Sequence, residues 1–141
     1  MMPETTTNKP RPTLDQRRAA HAWEAVEDLP RLGDKGAEEF AREAKKLPMR
    51  IMASGLGAAL AFILAKAKEK KKSLTKLHDD LTRWVVGQRL SASAKHPTSL
   101  MESVIQGDVE FLRRATDESL AYLQWLNRFV EARGLGEKDA D

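Results

Sequence analysis

Apolar residues in this chain recur three and four positions apart, and no segment alternates with period two over strand length between turn signals. That spacing stacks side chains on one face of a helix and gives a sheet no face to bury, so the expected fold is helix packed on helix. The first stripe, Ala19, Ala22, Trp23, Val26 and Leu29, follows Thr13-Leu14-Asp15-Gln16, which has the form of a capping box, and Pro30 stops it. Asp34 is placed to cap a second helix with Ala37, Phe40, Ala41, Ala44 and Leu47 on its apolar face. Pro48 removes one ladder donor, but Leu47 and Ile51 keep helical spacing, which predicts a kink instead of an end. Gly55 is expected to close that helix in a left-handed conformation.

Leu56 to about Lys68 reads as a third helix, apolar nearly all round and therefore expected at the centre of the bundle. Ser73 is a candidate cap for a fourth, carrying Leu74, Leu77, Leu81, Trp84 and Val85 and ending near Leu90. Residues 91–97 are small and polar and form the longest expected loop. Ser99 and Glu102 suit a capping box for a short fifth helix that Gly107 ends. Asp108 then caps a last helix from about Val109 to Ala132, with Val109, Leu112, Thr116, Leu120, Leu123, Leu126 and Val130 inward, and Gly134 ends it. The expectation is an all-α fold: a single compact bundle of five or six helices over residues 13–134, behind a disordered lead-in (1–12) and before a flexible acidic tail (135–141).

Cysteine is absent, which excludes disulfides, thiolate metal sites and a cysteine nucleophile, and fits a reducing, cytoplasmic setting. The lead-in lacks the apolar stretch of a secretory signal. The longest apolar run, Ile51 to Ala65, is shorter than the ~20 residues that span a bilayer, so no membrane partner is expected.

Charge is spread unevenly. Arg42 to Lys76 holds ten Lys/Arg against two acids, a local net of +8 in a chain whose total is +3. A cationic block around an apolar helical stretch is the footprint of a polyanion-binding protein, and nucleic acid is the first partner to test. Arg17, Arg18, Lys45, Lys46, Arg50, Lys66 and Lys68 are the candidate phosphate contacts. Lys70 to Lys72 read instead as a solvated helix exit, favoured by dipole complementarity and solubility. Trp23, Trp84, Trp125 and Tyr122 could stack on bases, but each lies on or beside an apolar stripe, where core packing is the simpler role.

Histidine is the one opening for an enzyme. His21 and His78-Asp79-Asp80 superficially resemble the ligands of helical metal-dependent phosphohydrolases, yet His21 sits close to apolar positions of a helix more than fifty residues away, and His96 has no acidic neighbour. Asp79 and Asp80 are expected to face solvent. Gly55-Leu56-Gly57 follows no strand and has Leu60 at the third glycine position, so it is no dinucleotide fingerprint. No catalytic residue, metal or cofactor is therefore assigned.

Three strings carry a specific resemblance: LDQRRAAHAWEAVE near the start, AKKLPMRIMASGLGAALAFILAKAK in the middle and ATDESLAYLQWLNRFVEARG near the end. In that order, and over most of residues 14–134, they resemble the small subunit of the type III-B CRISPR Cmr effector complex. The least generic piece is Leu47-Pro48 followed by Ile51, Gly55-Leu56 and Leu60-Ala61-Phe62. Ser54 stands where that family often has Asn, and the linker around residues 91–98 carries no likeness. The resemblance implies a non-catalytic RNA-silencing subunit in antiviral defence. Its partners would be the other Cmr subunits, stacked copies of itself, and target RNA, held by its backbone, alongside guide RNA within the complex. It also favours the arginine-containing group Arg17, Arg18, Lys45, Lys46 and Arg50 as phosphate contacts, since a guanidinium suits fork-like phosphate binding. The alternatives are a helical metal-dependent phosphohydrolase and a helical protein-interaction adaptor whose basic stretch only solubilises it.

Overall fold

The computed structural model describes residues 10–31, 33–69, 72–90 and 98–136; the expectations for the start of the lead-in, for Lys70 and Lys71, for the 91–97 loop with His96, and for the end of the tail lie outside them. The described residues are helical throughout, with no strand among them: α1 (Leu14–Glu27), α2 (Lys35–Ser54), α3 (Leu56–Lys68), α4 (Lys72–Leu81), a π-helical segment (Thr82–Leu90), α5 (Leu100–Gln106) and α6 (Val109–Ala132). α1 packs along α6, α6 also lies against α2, and α2 carries α3 and α4 on its other side. Phe40, Leu47, Leu60, Leu77, Leu81, Tyr122 and Leu126 meet in one core and are fully buried.

The helix starts follow the capping chemistry. Thr13 and Gln16 form the reciprocal capping box, the Thr13 amide donating to the Gln16 side chain at 2.7 Å and the Gln16 amide to the Thr13 hydroxyl at 3.0 Å. Asp34 and Asp108 accept from the Ala37 and Phe111 amides at 3.1 and 2.8 Å. Ser99 accepts from the Glu102 amide at 3.1 Å, but the Glu102 carboxylate turns to the Ser99 hydroxyl and not to its amide, so only half of that box forms. α4 begins at Lys72, which places Ser73 inside the helix and not at its cap.

α2 runs through Pro48 to Ser54, as the Leu47–Ile51 spacing requires. Proline has no amide hydrogen, so the carbonyl four residues earlier, that of buried Ala44, loses its partner. The Asn127 side chain of α6 replaces it, donating to Ala44 O at 3.0 Å. Gly55 ends α2 at φ 91°, ψ 159°, a positive-φ conformation but not the compact left-handed one expected; extended ψ sends the chain straight into α3.

α3 contacts α2, α4, α5 and α6, the central place expected of it. It buries Leu56, Ala59, Leu60 and Ile63, but Ala58, Ala61, Phe62 and Ala65 are exposed, so its apolar girth exceeds what its neighbours cover. The stripe expected to continue from α4 to Leu90 changes pitch at Thr82, where Trp84, Val85 and Val86 are buried in succession. Three consecutive inward residues do not fit one face of an α-helix, and the wider π turn accommodates them. In the first half of α6 the buried face is Ala115, Glu118, Ser119 and Tyr122; Val109 and Leu112, expected inward, are exposed, while Thr116 and Leu120 are half-buried. At its end, Gly134 at φ 74° and the Leu135 amide bonded to Val130 O form a Schellman turn. This turn buries Leu135 completely, and the Gly136 amide donates to Glu38.

Candidate nucleic-acid interface

Two glutamates lie on apolar stripes and hold three of the seven candidate cations. Glu43 sits between Phe40, Ala44 and Leu47 on α2, and its carboxylate is almost wholly buried. Arg50, two turns on, reaches it at 2.6 Å, and Lys66 of α3 reaches it at 2.7 Å. Burial pushes the Glu43 carboxyl up, but hydrogen bonds from Lys66 and Arg50 outweigh that and hold it below its ordinary value. Glu118 of α6 is the second anchor. Arg18 of α1 grips it bidentately at 2.6 and 3.0 Å, the Trp84 indole donates at 2.8 Å, and Arg89 adds a contact at 3.3 Å. Against the opposing effect of burial, these donors hold the Glu118 carboxyl down to about 2.

Of the seven candidate phosphate contacts, Arg18, Arg50 and Lys66 are therefore engaged with buried carboxylates, each leaving part of its charged end at the surface. Arg17 is exposed and lies over the Trp84 ring, 5.8 Å from its centroid. Lys45 is half-buried, Lys46 and Lys68 are exposed, and none of the three has an ion-pair partner among the described residues. Because Glu43 meets two cations, that cluster stays on the positive side of neutral; at Glu118 the two arginines are balanced, since Arg18 also pairs with Asp15 at 3.2 Å. Lys68 also borders a groove of about 430 Å³ between α3 and α5, lined otherwise by Ala61, Leu64, Ala65, Met101 and Ile105.

The aromatic residues divide. Trp84 and Tyr122 are buried, as core packing requires. Trp125 is half-buried, stacked on Phe129 with its indole donating to Asp15 at 3.0 Å. Trp23, expected in the core, is 45% exposed and packs edge-on against Phe129, because α1 turns Ala22, Ala25 and Val26 inward in its place. Sequence reasoning missed Phe62 and Arg89. Phe62 is hidden in a run of apolar residues, whereas Arg89 owes its place to the π segment.

The histidines hold structure together. His21 Nδ1 is 2.8 Å from the Tyr122 hydroxyl, whose hydrogen has no other acceptor among the described residues. His78 Nε2 accepts from the Met101 amide at 3.3 Å and, with the Thr82 hydroxyl accepting from Leu100 at 2.9 Å, secures the start of α5. Burial lowers both histidine pKa values and keeps the rings neutral. Asp79 is exposed, but Asp80 is not the solvent-facing residue expected: it is buried, and Lys76 at 2.7 Å and Arg83 at 3.3 Å pair with it. Among the described residues, no three His, Asp or Glu side chains converge as a metal site would need, and no helix is long and apolar enough to cross a membrane.

Comparison with known proteins agrees with this architecture. The "CRISPR system Cmr subunit Cmr5" of Thermus thermophilus is 32% identical over 120 residues, spanning 85% of this chain and 95% of that protein. The crystal structure of a CRISPR-associated Cmr5 family protein from Thermus thermophilus superposes with a TM-score of 0.67 at 30% identity, covering 86% of this chain and 97% of that one. Residues 14–133, from the start of α1 to the residue that caps α6, match the family described as CRISPR-associated protein (Cas_Cmr5), and the chain belongs to that family.

Proposed function

We propose that this Cmr subunit acts in CRISPR defence as a non-catalytic RNA-contacting element, stacked with copies of itself inside the effector complex and touching target RNA through its backbone. The observation that carries this reading is the set of cations left over after the buried carboxylates are satisfied: Arg17, Lys45, Lys46 and Lys68 stand without ion-pair partners among the described residues. Arg50 and Lys66 contribute the surplus charge of the Glu43 cluster, whereas Arg18 is balanced between Glu118 and Asp15. Such contacts displace condensed counterions and carry no base information, so affinity is salt-dependent and nearly indifferent to sequence. Stacking within the complex is supported by the apolar side chains left outside: Met49 and Met52 on α2, Ile105 on α5 and Val109 on α6 are each at least 70% exposed.

The test is charge reversal in the assembled effector. Arg17→Glu, Lys45→Glu, Lys46→Glu and Lys68→Glu together leave guide retention intact and weaken target capture. Each lost contact flattens the slope of log affinity against log salt by roughly 0.7 to 0.9. Unchanged target capture and unchanged salt dependence with assembly intact overturn the reading.

A further inference from the structure

Phe62 is the most exposed large apolar residue on α3: its phenyl ring is 43% exposed, whereas Leu56, Leu60 and Ile63 are buried and Leu64 is half-buried. It is not a bare apolar spot. The Arg50 guanidinium lies 4.0 Å from the ring centroid and the Lys66 ammonium 5.3 Å from it. Both cations are pinned by the buried Glu43 carboxylate at 2.6 and 2.7 Å, so their positions beside the ring are set by the core and not by solvent. Lys46, one turn before Arg50 on α2, is exposed and adds a further positive charge.

We propose that Phe62, with Arg50 and Lys66, forms a stacking seat for a nucleobase of single-stranded RNA. The inference rests on the RNA reading above and goes past its backbone-only contacts. An unpaired base offers a π-face to the exposed part of the ring or to the guanidinium plane, while the Lys66 ammonium beside the ring and the exposed Lys46 one turn from Arg50 supply charge for the neighbouring phosphates. Lysine is depleted at protein interfaces, so the Lys66 ammonium beside the ring favours a polyanion over a protein partner. Since every base has a π-face, the seat is tolerant of sequence.

The test uses the full chain at low salt and two probes: an oligouridylate, and a ribose-phosphate oligomer of equal length without bases. The wild type binds the base-bearing probe about five-fold or more tightly. Phe62→Leu keeps an apolar side chain of similar reach but no π-face; it abolishes that preference and leaves abasic binding and the salt slope unchanged. Phe62→Trp restores the preference, and ultraviolet irradiation crosslinks uridine to the peptide that holds Phe62. No preference in the wild type, or equal weakening of both probes by Phe62→Leu, overturns the stacking seat and leaves the backbone reading standing. Binding of neither probe overturns both. Loss of complex assembly by Phe62→Leu with RNA binding intact assigns the ring to a subunit contact and overturns the proposal.

Discussion

The charged residues that matter most to the fold are two carboxylates that sit where leucines would be expected. Glu118 follows Ala115 by three positions and precedes Tyr122 by four, and Glu43 stands in the same relation to Phe40 and Leu47. That signal was legible: a glutamate inside an apolar stripe must bring its partners with it. Which cations answer was not, because Arg18 and Glu118 are 100 residues apart and only tertiary packing joins them. Glu118→Gln leaves two guanidiniums facing a neutral amide, and urea denaturation is expected to show a loss of roughly 3–5 kcal/mol, the cost of breaking a buried pair. The sign with pH follows from the depressed carboxyl. Held at about 2 in the fold against 4.5 when free, Glu118 contributes stability that is complete above pH 4.5 and is lost as pH falls towards 2. His21 and His78, whose folded pKa values lie below 6.5, lose stability in the same direction but at higher pH. Stability measured across pH is therefore expected to begin declining below 6.5 and to fall further below 4.5, and the Glu118→Gln variant is expected to show a shallower second decline, the part owed to Glu43 remaining.

At the scale of elements, most starts and stops were read well because each depends on two or three neighbouring residues: Thr13 with Gln16, Asp34, Asp108 and Gly134 all do what local chemistry dictates, whereas Ser73 falls inside its helix, Gly55 takes an extended ψ and the Ser99 box forms only by half. The misreadings lie where packing rotates or rewinds a helix. The first half of α6 turns Glu118 inward in place of Val109 and Leu112, and the stretch after Leu81 widens into a π segment to bury Trp84, Val85 and Val86 together. Pro48 shows how an element-level defect is repaired from outside. The freed carbonyl of Ala44 takes the Asn127 amide, so Asn127→Ala strands a buried acceptor and is expected to cost about 1–3 kcal/mol. Pro48→Ala restores a backbone donor to that same carbonyl. In a double-mutant cycle followed by denaturation, Asn127→Ala is expected to cost markedly less in the Pro48→Ala background. Equal costs in both backgrounds would sink this account of how α2 survives its proline.

Across the whole molecule, the cationic segment read from sequence as one surface resolves into two populations with different work. Arg18, Arg50 and Lys66 meet buried carboxylates and belong to the fold; Arg17, Lys45, Lys46 and Lys68 do not. Composition exposes the excess of charge but not this division, which depends on where two glutamates are buried. The division has a measurable consequence, because removing a cation from a buried cluster leaves its carboxylate with one ionic partner in place of two, whereas removing an exposed one leaves only water. Arg18→Gln and Arg50→Gln are expected to lower unfolding free energy by roughly 1.5–3 kcal/mol, the cost of a lost charge-assisted hydrogen bond at a buried carboxylate that keeps its second partner. Lys46→Gln and Lys68→Gln are expected to move it by no more than about 0.5 kcal/mol. For RNA the order reverses at Arg18: the lysine changes remove full, freely placed charges and flatten the salt slope, while Arg18→Gln weakens binding chiefly in proportion to the fraction of protein it unfolds; Arg50→Gln also removes the guanidinium beside Phe62. Denaturation curves and salt titrations on the same four variants separate the two populations, and a lysine variant that destabilises as much as Arg18→Gln would overturn the partition.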